Sequence, residues 1–171
     1  MKKILTILAT VLSVTATDAI PSNVGNLLTL IELRVQQPSP GFRIQILRIH
    51  PNATIDPPPQ LSSFDGWATF SLTFKPGERK KEILEAISTA RKSQWEKLQY
   101  SGYARWCVRL IGPWNEIYDS IGIDEENLSA VVGGEWFKVD KETVQALTTK
   151  LVRAAVKEPA PNATNARPEA K

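Results

Sequence analysis

The chain has 171 residues, of which 42% are hydrophobic and 23% are charged, so it has the length and composition of one ordinary globular domain. Its 21 basic and 18 acidic residues leave a net charge of only +3, and nucleic-acid binding is therefore not expected. The single cysteine, Cys107, excludes an intramolecular disulfide, and the single histidine, His50, excludes zinc sites built on paired histidines.

The first residues have the layout of a secretory signal peptide. A basic start precedes an uncharged, mostly apolar run at 4–14, and Ala16 and Ala19 are small residues suited to cleavage. The run is shorter than the roughly 20 apolar residues that span a bilayer. We therefore predict that residues 1–19 are an export signal and that the mature protein is soluble and extracytoplasmic, either secreted or periplasmic, without a membrane span.

The same segment has an alternative interpretation. Its isoleucine, valine and threonine content also suits a β-strand. Residues 3–15 would then stay on the chain as an uncleaved N-terminal strand or arm of an intracellular protein or a virion subunit. The N-terminal residue of the mature protein distinguishes the two interpretations.

The predicted domain occupies residues 26–157, and its first elements are strands. Residues 26–35 (NLLTLIELRV) alternate apolar and charged positions, which favours a strand followed by a turn at 36–41. Residues 42–49 (FRIQILRI) predict a second strand with apolar side chains on both faces. The connection at 51–65 contains three consecutive prolines and is longer than most loops in compact domains.

The clearest alternation in the chain lies at 67–74 (WATFSLTF), which predicts a strand that ends at a Pro-Gly turn. A helix is then predicted over 78–99. Ile83, Ile87 and Ala90 give this helix an apolar stripe at helical spacing.

A second clear strand is predicted at 103–111 (YARWCVRLI), where Cys107 is interpreted as a small apolar residue packed in the sheet. Another short strand is predicted within 114–123, followed by a polar turn or short helix at 124–129. Two consecutive glycines at 133–134 are interpreted as a turn that leads into a strand at 135–139.

The last predicted element is a helix that begins at Asp140, whose carboxylate can accept the free N–H groups of the first turn. Val144, Leu147 and Leu151 form its apolar stripe. Residues 158–171 are rich in proline, alanine and asparagine and have no periodicity, so we expect a disordered tail. Strand patterns that cluster before the helices predict an α+β fold: a mainly antiparallel sheet of about four to six strands, with two amphipathic helices packed on one face.

No motif in the chain is specific for catalysis, and we expect neither a cofactor nor a metal ion. His50 lies at a strand end without a nucleophile motif nearby, so we interpret it as a surface histidine. A group of acidic residues between the predicted strands is interpreted as a solvated turn, because its spacing does not fit a calcium loop. This group consists of Asp119, Asp124, Glu125 and Glu126. A carboxylate-dependent hydrolase remains an alternative, because carboxylate pairs leave little trace in a sequence.

Arginine and aromatic side chains alternate on one face of the predicted strand at 103–111. Together with an aromatic residue of a neighbouring strand they form the candidate contact surface, which consists of Trp67, Tyr103, Arg105 and Arg109. The sequence therefore favours a non-catalytic binding or structural module, exported and soluble. Its expected partner is a protein or a second copy of itself, and whether it binds a small molecule is left open.

Overall fold

The computed structural model describes residues 20–53, 60–99 and 102–156, with the backbone alone at 154 and 155. The predicted export signal and the predicted tail lie outside the described residues. Within them, seven strands form one antiparallel sheet, so the α+β class is confirmed and the predicted range of four to six strands was too low. The strands are β1 (Arg43–Arg48), β2 (Phe70–Phe74), β3 (Glu96–Lys97), β4 (Trp106–Ile111), β5 (Ile117–Asp124), β6 (Ser129–Val132) and β7 (Glu135–Lys138).

The helices of the described ranges lie on one face of the sheet. They are α1 (Ser22–Gln36), α2 (Lys80–Lys92), α3 (Lys141–Gln145) and α4 (Leu151–Val156). A π-helical turn at Ala146–Lys150 joins α3 to α4, and 3₁₀ turns occupy Leu61–Gly66 and Pro76–Arg79. None of these helices combines the length and apolar character needed to cross a bilayer.

The strand order is β2-β1-β4-β5-β6-β7-β3. Strands β4 to β7 form consecutive hairpins, whereas β1 is inserted between β2 and β4. Gly133 and Gly134 turn the β6–β7 hairpin with φ angles of 58° and 82°, which glycine adopts without strain. The turn predicted at these glycines is confirmed.

The predicted strand at 26–35 is wrong, because these residues belong to helix α1. Val24, Leu28, Ile31 and Val35 are buried at spacings of three or four residues, which places them on one side of a helix. Leu27, also buried, is adjacent to Leu28, and a strand would point the two to opposite faces. The apparent alternation was therefore a weaker signal than the helical stripe.

Helix α2 ends seven residues before the predicted limit of 99, because the chain becomes extended at Ser93, where ψ is 149°. The Ser93 hydroxyl donates to the Asp140 carboxylate over 2.6 Å, and the Trp95 indole N–H donates to the Ala90 carbonyl over 2.8 Å. These hydrogen bonds fix the extended residues that follow α2, and Trp95 is buried in the core although it lies beyond the end of the helix. The following residues form β3, which pairs with β7.

Strand β6 had no sequence signal of its own. All four of its residues are buried, so it lacks the apolar–polar alternation that identifies a half-exposed strand. The strands predicted at 42–49, 67–74, 103–111 and 135–139 are confirmed as β1, β2, β4 and β7, and that within 114–123 is confirmed as β5.

The helices pack on the sheet side that carries Val108 of β4, here called the helix face. Side chains from β1, β4 and β5 meet α1, α2 and the C-terminal helices around an enclosed gap of only about 20 Å³. The helix face is therefore a closed apolar core.

The last helical segment begins where the sequence predicted. The Asp140 carboxylate accepts the Thr143 backbone N–H over 2.6 Å, which confirms the predicted N-cap.

The opposite side of the sheet, which carries Arg109 of β4, is here called the open face. A smaller apolar cluster there joins Leu47, Ile49 and Cys107 to Phe64 of the 3₁₀ turn Leu61–Gly66. Apolar packing on both sides of β1 confirms the prediction for 42–49. Between this turn and the β4–β5 hairpin, however, the open face carries a polar cavity.

Candidate functional site

The β4–β5 hairpin is held in one conformation by hydrogen bonds within its tip. The Gly112 N–H donates to the Glu116 carbonyl over 2.9 Å, and the Asn115 N–H donates to the Gly112 carbonyl over 3.1 Å. The Trp114 N–H donates to the Glu116 carboxylate over 2.8 Å. Asn115 has a φ of 68°, in the left-handed region that asparagine tolerates better than most residues. The tip is therefore an ordered turn.

The tip is also fixed to the rest of the domain. The Arg43 guanidinium of β1 donates to the side-chain oxygen of Asn115. Pro113 packs against Gly41 so closely that a Cβ at Gly41 would lie 2.8 Å from the proline Cβ. Gly41 also has a φ of 87°, so a larger residue would be strained there. The α1–β1 turn thus supports the hairpin from one side.

Trp114 projects from this fixed tip with 85% of its surface exposed. Two further exposed apolar side chains, Ile117 and Tyr118, follow at the start of β5, and we call these three residues the hairpin patch. Ile111 pairs with Ile117 whereas Leu110 pairs with Asp119, so Tyr118 is the additional residue of a β-bulge. A β-bulge changes the direction of the side chains beside it. At this bulge, the apolar side chains of the tip lie in solvent.

Tyr118 connects the hairpin patch to helix α1. Its ring lies 5.1 Å from that of Phe42, centroid to centroid, and the Arg34 guanidinium lies 4.2 Å from the centre of the Phe42 ring. Aromatic rings and an arginine therefore adjoin at this end of the sheet. These contacts restrict the Tyr118 and Phe42 side chains before any partner binds.

The polar cavity of the open face has a volume of about 230 Å³ and adjoins the hairpin. Its wall combines two arginines, one carboxylate and neutral hydrogen-bonding groups with two isoleucines of the hairpin strands. The polar wall residues are Arg43, Gln45, Asp65, Thr73, Arg109 and Asn115. Asn115 and Ile117 belong to both the hairpin and the cavity wall, so the two features form one continuous surface.

Arg109 is the most deeply buried group of this wall, with 1% of its surface exposed. Its guanidinium donates to the Asp65 carboxylate and to the Leu61 carbonyl, which anchors the 3₁₀ turn to the sheet. Its buried Nε has no hydrogen-bonding partner among the described residues. Arg109 thus has a structural role that its place in the sequence did not reveal.

Cys107 lies beside Arg109 on the same face and is fully buried, as predicted. Burial raises the pKa of its thiol to about 11, although the charge and hydrogen bonding of Arg109 act in the opposite direction. The thiol is therefore neutral at physiological pH and is not an activated nucleophile.

The four residues of the predicted contact surface do not form one exposed patch. Trp67 is 44% exposed and Tyr103 is also exposed, whereas Arg109 is covered. Arg105 is half-buried, and its guanidinium donates to the Ala53 carbonyl over 2.9 Å. Trp67 and Arg105 lie near the end of β1 at Arg48, away from the hairpin, which adjoins the end at Arg43.

The acidic residues at the end of β5 are mostly occupied within the fold. Asp124 is buried, and its carboxylate accepts the backbone N–H groups of Glu126 and Asn127 at 3.1 Å. Glu125 forms an ion pair with Arg48 over 2.9 Å. The turn predicted at 124–129 is confirmed, but the expectation that it is solvated is wrong for Asp124, which serves to fix the turn.

A third cavity, of about 440 Å³, is lined by Asp119, Ser120 and Trp136, among other described residues. Burial raises the pKa of the Asp119 carboxyl, while the Ser120 backbone N–H opposes the shift. No second carboxylate is among the described residues of this wall. Within the described ranges no three potential ligands converge as a metal site. The His50 side chain is exposed, as the sequence predicted for this residue.

A groove of about 970 Å³ lies between α2 and α4. Its described wall carries four basic side chains and two acidic ones, Glu82 and Glu85. Its described wall contains no aromatic residue. Without an aromatic anchor among its described residues, this groove is a weaker candidate for a protein contact than the hairpin patch.

Comparison with protein-family models, with curated proteins and with solved structures found no match for this chain. The hairpin patch had only a partial signal in the sequence. Trp114 fell within the strand predicted at 114–123, whereas it lies in the turn that precedes β5. Trp114 directly follows Gly112-Pro113, and a tryptophan in a turn is harder to bury than one in a strand. This tryptophan after a Gly-Pro pair is the sequence signal that identifies the patch.

Proposed function

We propose that the protein is a non-catalytic protein-binding module, exported in soluble form, and that the hairpin patch is its contact surface. The observation that carries this proposal is the exposure of Trp114 on a tip fixed by its own hydrogen bonds. An indole held in water contributes little to the stability of the isolated domain. Burial of the Trp114 indole by a partner removes this apolar surface from water and therefore favours binding.

The composition of this end of the sheet supports a protein partner. Tryptophan, tyrosine and arginine are the residues that most often dominate the energy of protein interfaces. Because the tip is already ordered, little conformational entropy is lost when Trp114 is buried by a partner. The small net charge of the chain supports neither a nucleic acid nor a charged lipid surface as the ligand.

Export is supported by the sequence at 1–19 alone, with its basic start, apolar run and small residues. Mass spectrometry of the native protein tests it, because a mature chain that begins shortly after Ala16 or Ala19 requires cleavage. An intact N-terminus would instead favour the alternative, an uncleaved structural subunit of a larger assembly such as a virus particle.

A hydrolase that uses two carboxylates is less well supported by the geometry. Asp119 is the single carboxylate among the described residues that line the third cavity, and Asp124 is committed to its turn. A carboxylate pair needs a second acidic group within reach of the same substrate.

The contact surface is tested by placing a photo-crosslinking amino acid at position 114 or at position 67 in the cells that produce the protein. We expect position 114 to give a discrete adduct and position 67 to give none above background. An adduct of twice the mass of the chain would identify a second copy as the partner. Adducts from position 67 alone would move the interface to the opposite end of the sheet and contradict the proposal.

The affinity of the purified complex then gives a quantitative test. Trp114→Ala should weaken binding by about 30-fold or more, the effect of losing an interface anchor worth about 2 kcal/mol. Trp67→Ala is the matched control, because it removes an exposed indole at the other end of the sheet, and it should change affinity by less than about threefold.

A further inference from the structure

We propose that the polar cavity beside the hairpin binds a carboxylate group carried by the protein that contacts the hairpin patch. This inference rests on the proposed function, because the occupant is a group of the same partner. The cavity is already formed in the free domain, and it receives one acidic side chain or one chain terminus of the bound partner.

The charges of the cavity wall favour an anion. Arg43 and Arg109 contribute two positive charges, and Asp65 contributes the one negative charge among the described wall residues. Asp65 is 56% exposed, so water screens its charge more effectively than that of the buried Arg109. An incoming carboxylate therefore meets a site with an excess of one positive charge.

The arginines also keep hydrogen-bond donors for a ligand. A guanidinium has five N–H groups, and that of Arg109 bonds the Asp65 carboxylate and the Leu61 carbonyl and also interacts with the Cys107 thiol, which leaves part of its donor capacity unused. Arg43 donates to Asn115 through one nitrogen. The planar guanidinium matches the geometry of a carboxylate, for which it can provide two parallel hydrogen bonds.

The size and position of the cavity indicate what carries the carboxylate. About 230 Å³ is smaller than the 300–1,000 Å³ typical of sites for complete small-molecule ligands. It accommodates a side chain or a terminus more readily than a cofactor. Because Ile117 belongs to both surfaces, a protein seated on the hairpin patch lies directly beside the cavity mouth.

The site is tested with small probes that do not require the partner. Acetyl-aspartate amide presents only a side-chain carboxylate, N-acetylalanine presents only a terminal carboxylate, and acetyl-asparagine amide is the neutral control. Each is titrated into the full chain while the Nε–Hε signals of Arg43 and Arg109 are followed by NMR. Arg91, which pairs with Glu32 on the helix face, is the reference arginine.

We expect saturable shifts at Arg43 and Arg109 with a Kd of about 1 mM for at least one carboxylate, and no saturable shift at Arg91. The probe that binds more tightly identifies a side chain or a terminus as the natural source. Absence of saturation at tenfold higher concentration, equal binding of the neutral control, or tighter binding of inorganic phosphate than of either carboxylate would overturn the assignment.

Two variants change the site in opposite directions. Arg43→Gln should weaken carboxylate binding about tenfold or more, whereas Asp65→Asn should strengthen it several-fold by removing the competing charge. Arg91→Gln should leave the affinity unchanged. The thermal midpoint of each variant shows that it is folded, and an unchanged affinity in Arg43→Gln contradicts the proposal even if Asp65→Asn is unstable.

Failure of this inference is distinguishable from failure of the proposed function. Trp114→Ala should retain carboxylate binding, because its side chain is not part of the described cavity wall. Loss of partner binding in Trp114→Ala without any carboxylate site would support the hairpin patch and reject the cavity. A carboxylate site with no partner contact at position 114 would do the reverse.

Discussion

The two faces of the sheet are closed in different ways. The helix face is covered by long amphipathic helices and leaves almost no space within its apolar core. Among the described residues, the open face is covered mainly by the 3₁₀ turn Leu61–Gly66, which a buried arginine attaches to the sheet. From this difference we predict that the helix face contributes more to the stability of the domain than the open face does.

The largest expected effect belongs to the helix face. Ile121→Ala removes a buried side chain of β5 that lies among α1, α2 and the C-terminal helices, and it should lower the free energy of unfolding by about 2–5 kcal/mol. Denaturant unfolding measures this loss. A cost below about 1 kcal/mol would mean that the helix face is loosely packed and would remove the contrast between the faces.

On the open face, Arg109→Met should cost about 2 kcal/mol or less. Methionine replaces much of the apolar volume, and the Asp65 carboxylate, being partly exposed, can be solvated when its partner is lost. The Leu61–Gly66 turn should then open more often. Alkylation of Cys107 with iodoacetamide reports this opening, because the thiol beneath the turn is buried.

The alkylation rate should be at least tenfold higher in Arg109→Met than in the original chain at pH 8, where the buried thiol is neutral. Arg91→Met is the matched control, because it removes an ion-paired arginine outside the open face, and it should leave the rate unchanged. An unchanged rate in Arg109→Met would show that apolar packing alone holds the turn.

An effect of about 1 kcal/mol is expected where the C-terminal helix begins. Asp140→Ala removes the N-cap hydrogen bond to Thr143 and the hydrogen bond from Ser93. Burial raises the pKa of the Asp140 carboxyl, but the hydrogen bonds from Ser93 and Thr143 outweigh it and hold the pKa below its ordinary value.

The pH dependence of stability follows from that lowered pKa. A carboxylate with a lowered folded-state pKa contributes its stabilisation above the unfolded-state pKa of about 4 and loses it as the pH falls through the folded-state value. The free energy of unfolding, measured from pH 6 down to pH 2, should therefore decrease less for Asp140→Asn than for the original chain. Parallel curves would mean that the Asp140 charge has no effect on stability.

The smallest effect on stability is expected at the hairpin tip. Trp114→Ala should change the free energy of unfolding by less than about 0.5 kcal/mol, because the indole is almost fully exposed and covers no core residue. The same variant has the largest expected effect on partner binding. A thermal midpoint several degrees lower would show that the indole packs against the domain, which would weaken its assignment as a contact residue.

Much of the fold followed from local sequence. Strands β2 and β4 alternate clearly, and the helix that follows Asp140 has both a cap and an apolar stripe. These signals are local because a strand or an amphipathic helix imposes its own period on the chain. Strand β6 is buried throughout, as β4 is, but its four residues include no charged side chain that marks alternate positions, and it was missed.

The site was less predictable than the fold. Arg109 and Trp114 illustrate the difficulty, because an arginine is expected outside and a tryptophan inside, and the structure reverses both. Arg109 is covered because the Leu61–Gly66 turn lies over it, and this arrangement is fixed by contacts between residues more than 40 positions apart in sequence.

By itself, the sequence determined the α+β class, five of the strands, the capped C-terminal helix and the burial of Cys107, since each depends on a pattern within a few neighbouring residues. The helix at 26–35 also had a local stripe, which the strand prediction overlooked, whereas only the tertiary structure decided that α2 ends at Lys92 and that one face of the sheet is partly open among the described residues. These depend on the strand order and on which segment packs across each face. Contacts between distant residues set both, and a local pattern does not contain them.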